Sequence, residues 1–293
     1  MSSSLPPAAL LQARELRFGY RSPLFEGFSA RIAEPGIYGL FGRNGTGKST
    51  LLKLLAGLLT PQGGQLRLLD CTPRERAAEF LAQVYLLPEE FHLPDLKPEG
   101  LMRNQGVFYP SFDAGLFQDY LQELEVPAAQ RFSQMSLGQK KKATIAFALA
   151  TLTPVLLMDE PTNGLDIIGR AQFKRLMQRP EHARRLVLIS THQAHDLESI
   201  IKHIWFIDGG RLSLSCDMQQ LARHLAMGVA ASAAQLPPAA ALIHTETLGA
   251  QVAWVARRAA LPQAAPAPLQ LELIYKALSL QPRAMLAALG EVR

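Results

Sequence analysis

An apolar run, Ile37-Tyr-Gly-Leu-Phe41, leads without interruption into Gly42-Arg-Asn-Gly-Thr-Gly-Lys-Ser-Thr50, and from there into Leu51-Leu-Lys-Leu-Leu-Ala56. Buried strand, glycine loop and amphipathic helix in that order are the context that separates a phosphate-binding loop from an ordinary turn. Gly42, Gly45 and Gly47 allow dihedrals closed to other residues and let the backbone approach a phosphate chain. The successive N–H groups of Arg43, Asn44, Gly45, Thr46 and Gly47 then form an anion cradle at the positive end of the new helix. Lys48 adds a full charge against the β- and γ-phosphates, Ser49 offers a hydroxyl to Mg²⁺, and Thr50 completes the motif. A plain turn has no need of Lys-Ser at its end. The pattern implies binding of a nucleoside triphosphate.

With 293 residues, 48% of them hydrophobic and 19% charged, the chain has room for one large α/β domain and a small appendage. A net charge of +5 on this length is a weak argument for nucleic acid and suits phosphate ligands or an acidic membrane surface equally well. Cys71 and Cys216 are far apart and lack companion ligands, so neither a disulfide framework nor a zinc site is indicated and a reducing cytosol is expected. Residues 1–12 lack the basic start and apolar block of a signal peptide and read as a disordered leader. The longest apolar stretch, Ala143 to Met158, is interrupted by Thr151, Thr153 and Pro154 and is too short to span a bilayer. A soluble protein is expected, with any membrane role exercised through a partner.

Along the chain, residues 13–18 and 28–32 read as strands around a turn at Arg21-Ser-Pro23, with further strands at 65–69 and 84–87. From about 90 to 152 the pattern is helical: Leu116, Phe117, Tyr120, Leu121 and Leu124 share one face of a helix starting near Asp113, and a second helix runs from Ser136 to about Ala150. Val155-Leu-Leu-Met158 and Leu186-Val-Leu-Ile189 are buried strands ending in Asp159-Glu160 and Ser190-Thr-His192. Parallel strands with polar C-terminal ends describe an open sheet carrying its ligand at that edge. There Asp159 can hold Mg²⁺ and Glu160 can polarise an attacking water as general base. Residues 217–293 are Ala-rich, with Pro237-Pro238 and a linker from Pro262 to Pro268; a strand at 250–255 and a helix at 269–280 suggest a small, flexibly attached accessory domain.

In this order and spacing the chain resembles the nucleotide-binding subunit of an ATP-binding-cassette (ABC) transporter over roughly residues 13–216. Gly42 to Thr50 matches Walker A, Met135-Ser-Leu-Gly-Gln139 the signature motif, Val155 to Glu160 Walker B, Asn163-Gly-Leu-Asp166 the D-loop, and His192 the switch histidine. The resemblance implies an α/β fold: a P-loop core with a mostly parallel sheet and an antiparallel β part, the helical insertion, and a C-terminal α+β extension. It implies that Tyr20 stacks on adenine and that Lys48, Glu160 and His192 carry the chemistry. It implies as well that two such subunits, identical or related, enclose ATP and Mg²⁺ between one Walker A and the partner's Ser136, Gly138 and Gln139, with Asp166 acting across the interface. The implied setting is the inner face of the plasma membrane, on a separate integral-membrane permease, with no specific nucleic acid.

Two residues depart from the family's pattern. Glu89 stands where a glutamine is usual, so that it can serve as a Mg²⁺ ligand while adding a negative charge near Glu160. Leu137 replaces the first signature glycine, leaving Ser136 and Gly138 as the phosphate contacts. Glu89, a short helical insertion, the string Phe108-Tyr-Pro-Ser-Phe-Asp113 and the tail Leu269-Gln-Leu-Glu-Leu-Ile-Tyr275 resemble bacterial exporter-type ATPases. ABC proteins acting on ribosomes resemble tandem cassettes, and this chain has one P-loop. Chromosome ATPases insert long coiled coils before the signature, and no heptads occur here. Lys140-Lys-Lys142 reads as a basic helix face near the nucleotide or an acidic partner loop.

Overall fold

The structure, a computed structural model, describes residues 9–192, 197–261 and 269–290. The first sheet is antiparallel: β1 (Leu11–Gly19) pairs with β2 (Pro23–Ile32). The chain then forms β3 (Gly36–Phe41), α1 (Lys48–Leu55) and β4 (Gly63–Leu68), the last pairing with the other edge of β1. The leader therefore ends earlier than residue 12. Leu11 and Gln12 already belong to β1, because Leu11 pairs with both Ile32 and Leu68 and is buried between them.

The main sheet collects α2 (Ala78–Leu81), β5 (Val84–Leu87), then the insertion of α3 (Pro98–Gln105), α4 (Ala114–Glu123) and α5 (Leu137–Ala150). It continues through β6 (Val155–Asp159), α6 (Ile167–Met177), β7 (Leu186–Ser190), β8 (His203–Asp208) and β9 (Arg211–Asp217). Strand order is β5-β6-β7-β3-β8-β9, parallel except for β9. The fold is thus the mixed α/β architecture expected of a P-loop protein. The runs of unbroken apolar residues are explained by burial on both faces. In β6, Val155 and Leu157 face the layer holding α1 and the antiparallel sheet, while Leu156 and Met158 face the helical insertion; in β7, Leu186 and Leu188 alternate with Val187 and Ile189 in the same sense.

Residues after β9 form α7 (Met218–His224), β10 (Leu225–Ala230), β11 (Leu242–Leu248), β12 (Gln251–Arg257), α8 (Leu271–Leu280) and α9 (Pro282–Leu289). The three strands make an antiparallel sheet ordered β10-β12-β11. Its apolar face is continuous with the main body: Val255, Leu271, Ile274 and Met285 share one buried cluster with Phe206, Ile189 and Phe147. The ring of Tyr275 stacks on Phe206 with centroids 5.5 Å apart, and Leu271 N–H donates to Glu198 Oε1 at 2.7 Å. The expected linker at 262–268 and residues 1–8 of the leader lie outside the described residues.

Candidate active site

The parallel strands β3, β6 and β7 end at the same edge of the sheet, so the loops that follow them meet there. The loop after β3 turns through Gly45 and Gly47, at φ +83° and +103°. A Cβ on Gly47 would lie 2.6 Å from the Phe25 ring, so both the turn and the packing demand glycine there. The buried Lys48 folds back inside the loop, its Nζ donating to the carbonyls of Gly42 at 2.9 Å and Arg43 at 3.2 Å. Burial holds the Lys48 ammonium below the ordinary lysine range, opposed by the charges of Glu160, Asp159 and Glu89. Thr46 Oγ1 donates to the Arg43 carbonyl at 2.8 Å and braces the turn.

A cleft of about 430 Å³ runs over this loop, lined by Tyr20, Asn44, Gly45, Gly47, Lys48, Ser49, Thr50, Glu89 and Glu160 together with Leu24. Tyr20 is 65% exposed rather than packed in the core; its ring stands edge-on to Phe18 at 5.1 Å and its hydroxyl lies 3.5 Å from Thr50 Oγ1. Gly19, just before it, is held by Gln62, which donates to the Gly19 carbonyl at 2.8 Å and accepts from its N–H at 3.1 Å.

Asp159 ends β6 buried, and Ser190 at the end of β7 donates its hydroxyl proton to Asp159 Oδ1. Glu160 takes a left-handed φ of +46°, a conformation that costs about 1 kcal/mol for a residue with a Cβ. The turn points its N–H at the Ser190 carbonyl, 3.1 Å away, and swings its carboxylate to His192. His192 Nδ1 lies 2.9 Å from Glu160 Oε1, and the His192 backbone N–H donates to Oε2 at 3.4 Å. Both oxygens of the candidate base are therefore oriented by one residue. Glu89 Oε1 accepts from Asn163 Nδ2 at 2.8 Å, joining the loop after β5 to the loop after β6.

The signature residues stand apart from this cleft. Ser136 caps α5, accepting from the Gln139 N–H at 3.2 Å while Gln139 Oε1 accepts from the Ser136 N–H at 2.9 Å, a reciprocal capping box. Leu137 is 71% exposed, and a Cβ on Gly138 would sit 3.4 Å from the Gly164 carbonyl. Asp166 caps α6, accepting from the Gly169 N–H at 2.7 Å. Neither Ser136, Gly138, Gln139 nor Asp166 lines the cleft. Gly42, Arg43 and His192 line a neighbouring cleft of about 420 Å³ whose far wall is Glu272 and Tyr275 of α8.

The basic run at 140–142, expected as a basic helix face near the nucleotide or an acidic partner loop, is largely withdrawn from solvent. Lys140 is half-buried, but Lys141 and Lys142 are buried, because α5 from Lys141 onward is enclosed between the sheet and the rest of the insertion. Two functional candidates escaped the sequence, Ser190 and Gln62, as did the particular partner of Lys141 within the basic run. Each acts through a contact 30 or more residues away, for which no local pattern exists. Among the described residues no cluster of three or more His, Cys, Asp and Glu side chains forms a metal cage. Mg²⁺ requires none, since it keeps waters and takes phosphate oxygens beside one or two protein ligands. The hard oxygen donors of Ser49, Asp159 and Glu89 fit that ion.

The ABC transporter family profile matches residues 25–163. Nod factor export ATP-binding protein I of Cupriavidus metallidurans is 30% identical over 210 residues, 69% of this chain and 69% of that protein. The chain belongs to the ATP-binding subunits of ABC transporters. The cytochrome c biogenesis ATP-binding export protein CcmA of Brucella abortus is 32% identical over 187 residues, 60% of this chain and 80% of the relative. The ABC transporter ATP-binding protein YtrB of Bacillus subtilis is 28% identical over 196 residues, and the match spans just under two thirds, 66%, of its length. Among solved structures, an ATP-binding subunit of an ABC transporter superposes with a TM-score of 0.65 at 23% identity, covering 73% of this chain and 92% of that one. A dimeric post-hydrolysis ATP-binding cassette bound to ADP and Pi gives 0.63 at 20% identity, over 71% and 98%. These two likenesses speak for the fold. No helix among the described residues is long and apolar enough to cross a membrane.

Proposed function

We propose that this ABC subunit hydrolyses Mg²⁺-ATP and drives a separate integral-membrane permease, most simply as an exporter energiser at the inner face of the plasma membrane. The observation that carries the reading is the single cleft joining the exposed Tyr20 ring, the Lys48 loop and the carboxylates of Glu89 and Glu160. Tyr20 supplies a ring face for adenine, the loop amides and Lys48 grip the polyphosphate, and Glu160, oriented by His192, accepts the proton of the attacking water. Ser49, Asp159 and Glu89 would hold Mg²⁺, which when bound neutralises charge on the transferred phosphoryl group. The Ser136 end of α5 lies outside the cleft and offers amides and a hydroxyl to a phosphate bound elsewhere. A second ATPase subunit, identical or related, therefore completes each site. Names of relatives such as the Nod factor export protein and CcmA favour export over action on ribosomes or nucleic acid.

The test is ATP turnover with and without Mg²⁺, beside the mass of the particle in solution. Glu160→Gln is expected to keep ATP binding, to lose about 100-fold or more in turnover, and to form a stable dimer with Mg²⁺-ATP. Full turnover in Lys48→Ala, or a Glu160→Gln protein that stays monomeric at saturating Mg²⁺-ATP, would overturn the reading. Copurification of a multi-spanning membrane protein checks the permease.

A further inference from the structure

Lys141 is one of the most deeply buried ionised groups in the molecule, 3% exposed in the second turn of α5. A buried lysine persists only where partners replace its lost hydration. One of its partners here, Glu89, lines the nucleotide cleft. Nζ donates to the Glu89 carbonyl at 3.3 Å and stands over the Phe91 ring, 5.7 Å from its centroid, so it holds the first part of the segment that follows β5. Burial holds its ammonium below the ordinary lysine range, opposed by the charges of Glu89, Asp159 and Glu160. The same three act on Lys48 across the cleft.

Among these five groups the balance is one net negative charge. Removing Lys141 would raise the excess to two, while removing Lys141 together with the Glu89 charge would return it to one. A polyanionic nucleotide enters beside that cluster, so each extra negative charge there opposes it, most strongly when no Mg²⁺ accompanies the phosphates. We propose that Lys141 is a positioning residue for the ATP site: it pins the Glu89 segment to α5 and offsets the third carboxylate that Glu89 brings. The inference rests on the ATPase reading above and deepens it.

The experiment compares the full-length protein with Lys141→Met, Lys141→Arg, Glu89→Gln and the double variant Lys141→Met/Glu89→Gln. Binding of a fluorescent ATP analogue is measured in EDTA and in Mg²⁺, with kcat and KM for ATP measured in parallel. Lys141→Met is expected to weaken metal-free binding about tenfold and to lower kcat by at least as much, while Lys141→Arg stays within about threefold. The double variant is expected to recover most of the metal-free binding, and by a larger factor than Glu89→Gln alone gains over wild type, which a lysine that only packs would not explain. Lys141→Met indistinguishable from wild type, or a double variant that binds no better than Lys141→Met, overturns the inference. If Lys141→Met does not fold, the double variant decides alone: folded and binding supports the charge pairing, equally unfolded refutes it. A wild type that turns over ATP while Lys141→Met is unaffected sinks only this inference; a wild type that binds no nucleotide sinks the ATPase reading with it.

Discussion

Ser190 shows how a single hydroxyl can organise a catalytic edge. It is fully buried, donates to Asp159 and lies 3.3 Å from the Glu160 N–H, so it touches both acidic residues at the end of β6. Ser190→Ala deletes a hydrogen bond to a charged, buried acceptor and leaves that carboxylate short of a donor. The expected loss is about 2 kcal/mol in unfolding free energy, with a higher Mg²⁺ concentration for half-maximal turnover. Denaturant titration and a Mg²⁺ dependence of the ATPase rate measure the two effects; Ser190→Thr, which keeps the hydroxyl, should retain most of both. Nothing in the string Ser190-Thr-His192 marks Ser190 out, whereas His192 was legible through the resemblance to ABC subunits, in which that position is the switch histidine. Tyr20 was legible through the same resemblance, and its exposure, which argues against core packing, came from the fold.

The helical insertion is tied to the core by a buried polar network that no periodicity announces. Tyr120 of α4 donates to Glu181 Oε1 at 2.7 Å and lies 3.2 Å from His182 Nε2. On the other side, His182 Nδ1 is 3.2 Å from Arg185 Nη1, and Arg185 also donates to the Leu149 and Thr153 carbonyls around the end of α5. Arginine only donates, so Nδ1 accepts and the ring proton sits on Nε2, facing Tyr120. A second proton would point at Arg185. Burial, and then the Arg185 charge, hold His182 down to about 4 from the ordinary 6.5, with Glu181 opposing. The unfolded chain takes up this proton as pH falls through 6.5 while the folded chain resists until about 4, so unfolding is favoured by acid in that window. The stability contribution is complete above the upper value and declines below it, by at most about 3 kcal/mol. Urea midpoints measured from pH 7 to pH 4 should fall for wild type and lose this part of their slope in His182→Gln. A wild-type midpoint that is flat over the window would refute the assignment. The capping box of α5 is the opposite case: Ser136 and Gln139 are three residues apart, and such a cap is readable from the chain.

The segment beyond β9 shares its core with the body. Ile274 of α8 is fully buried in the cluster that runs through Phe206 and Ile189 to the helical insertion. Ile274→Ala is therefore expected to remove about 3 kcal/mol and to lower a single, common unfolding transition followed by both far-UV circular dichroism and tryptophan fluorescence. Two separated transitions, only one of them moved by the substitution, would show that the segment folds on its own. The Ala- and Pro-rich composition suggested loose attachment because alanine gives no periodic signal, while the contacts that tie α8 to the body, Tyr275 on Phe206 and Leu271 to Glu198, reach residues more than 60 positions earlier. The same division runs through the rest of the molecule. Amino-acid order alone determined the P-loop, the Walker B carboxylates, the signature cap and the buried strands, because each depends on neighbours in the chain: glycine dihedrals, a helix end, an unbroken apolar run. Only the tertiary structure decided which strand ends meet, that Ser190 serves Asp159, that Lys141 is buried against Glu89 and that α8 walls the cleft beside His192. Those contacts join residues tens of positions apart, where pairing is set by the packing of both faces of one sheet and by the desolvation of charge, and neither is written in any local stretch.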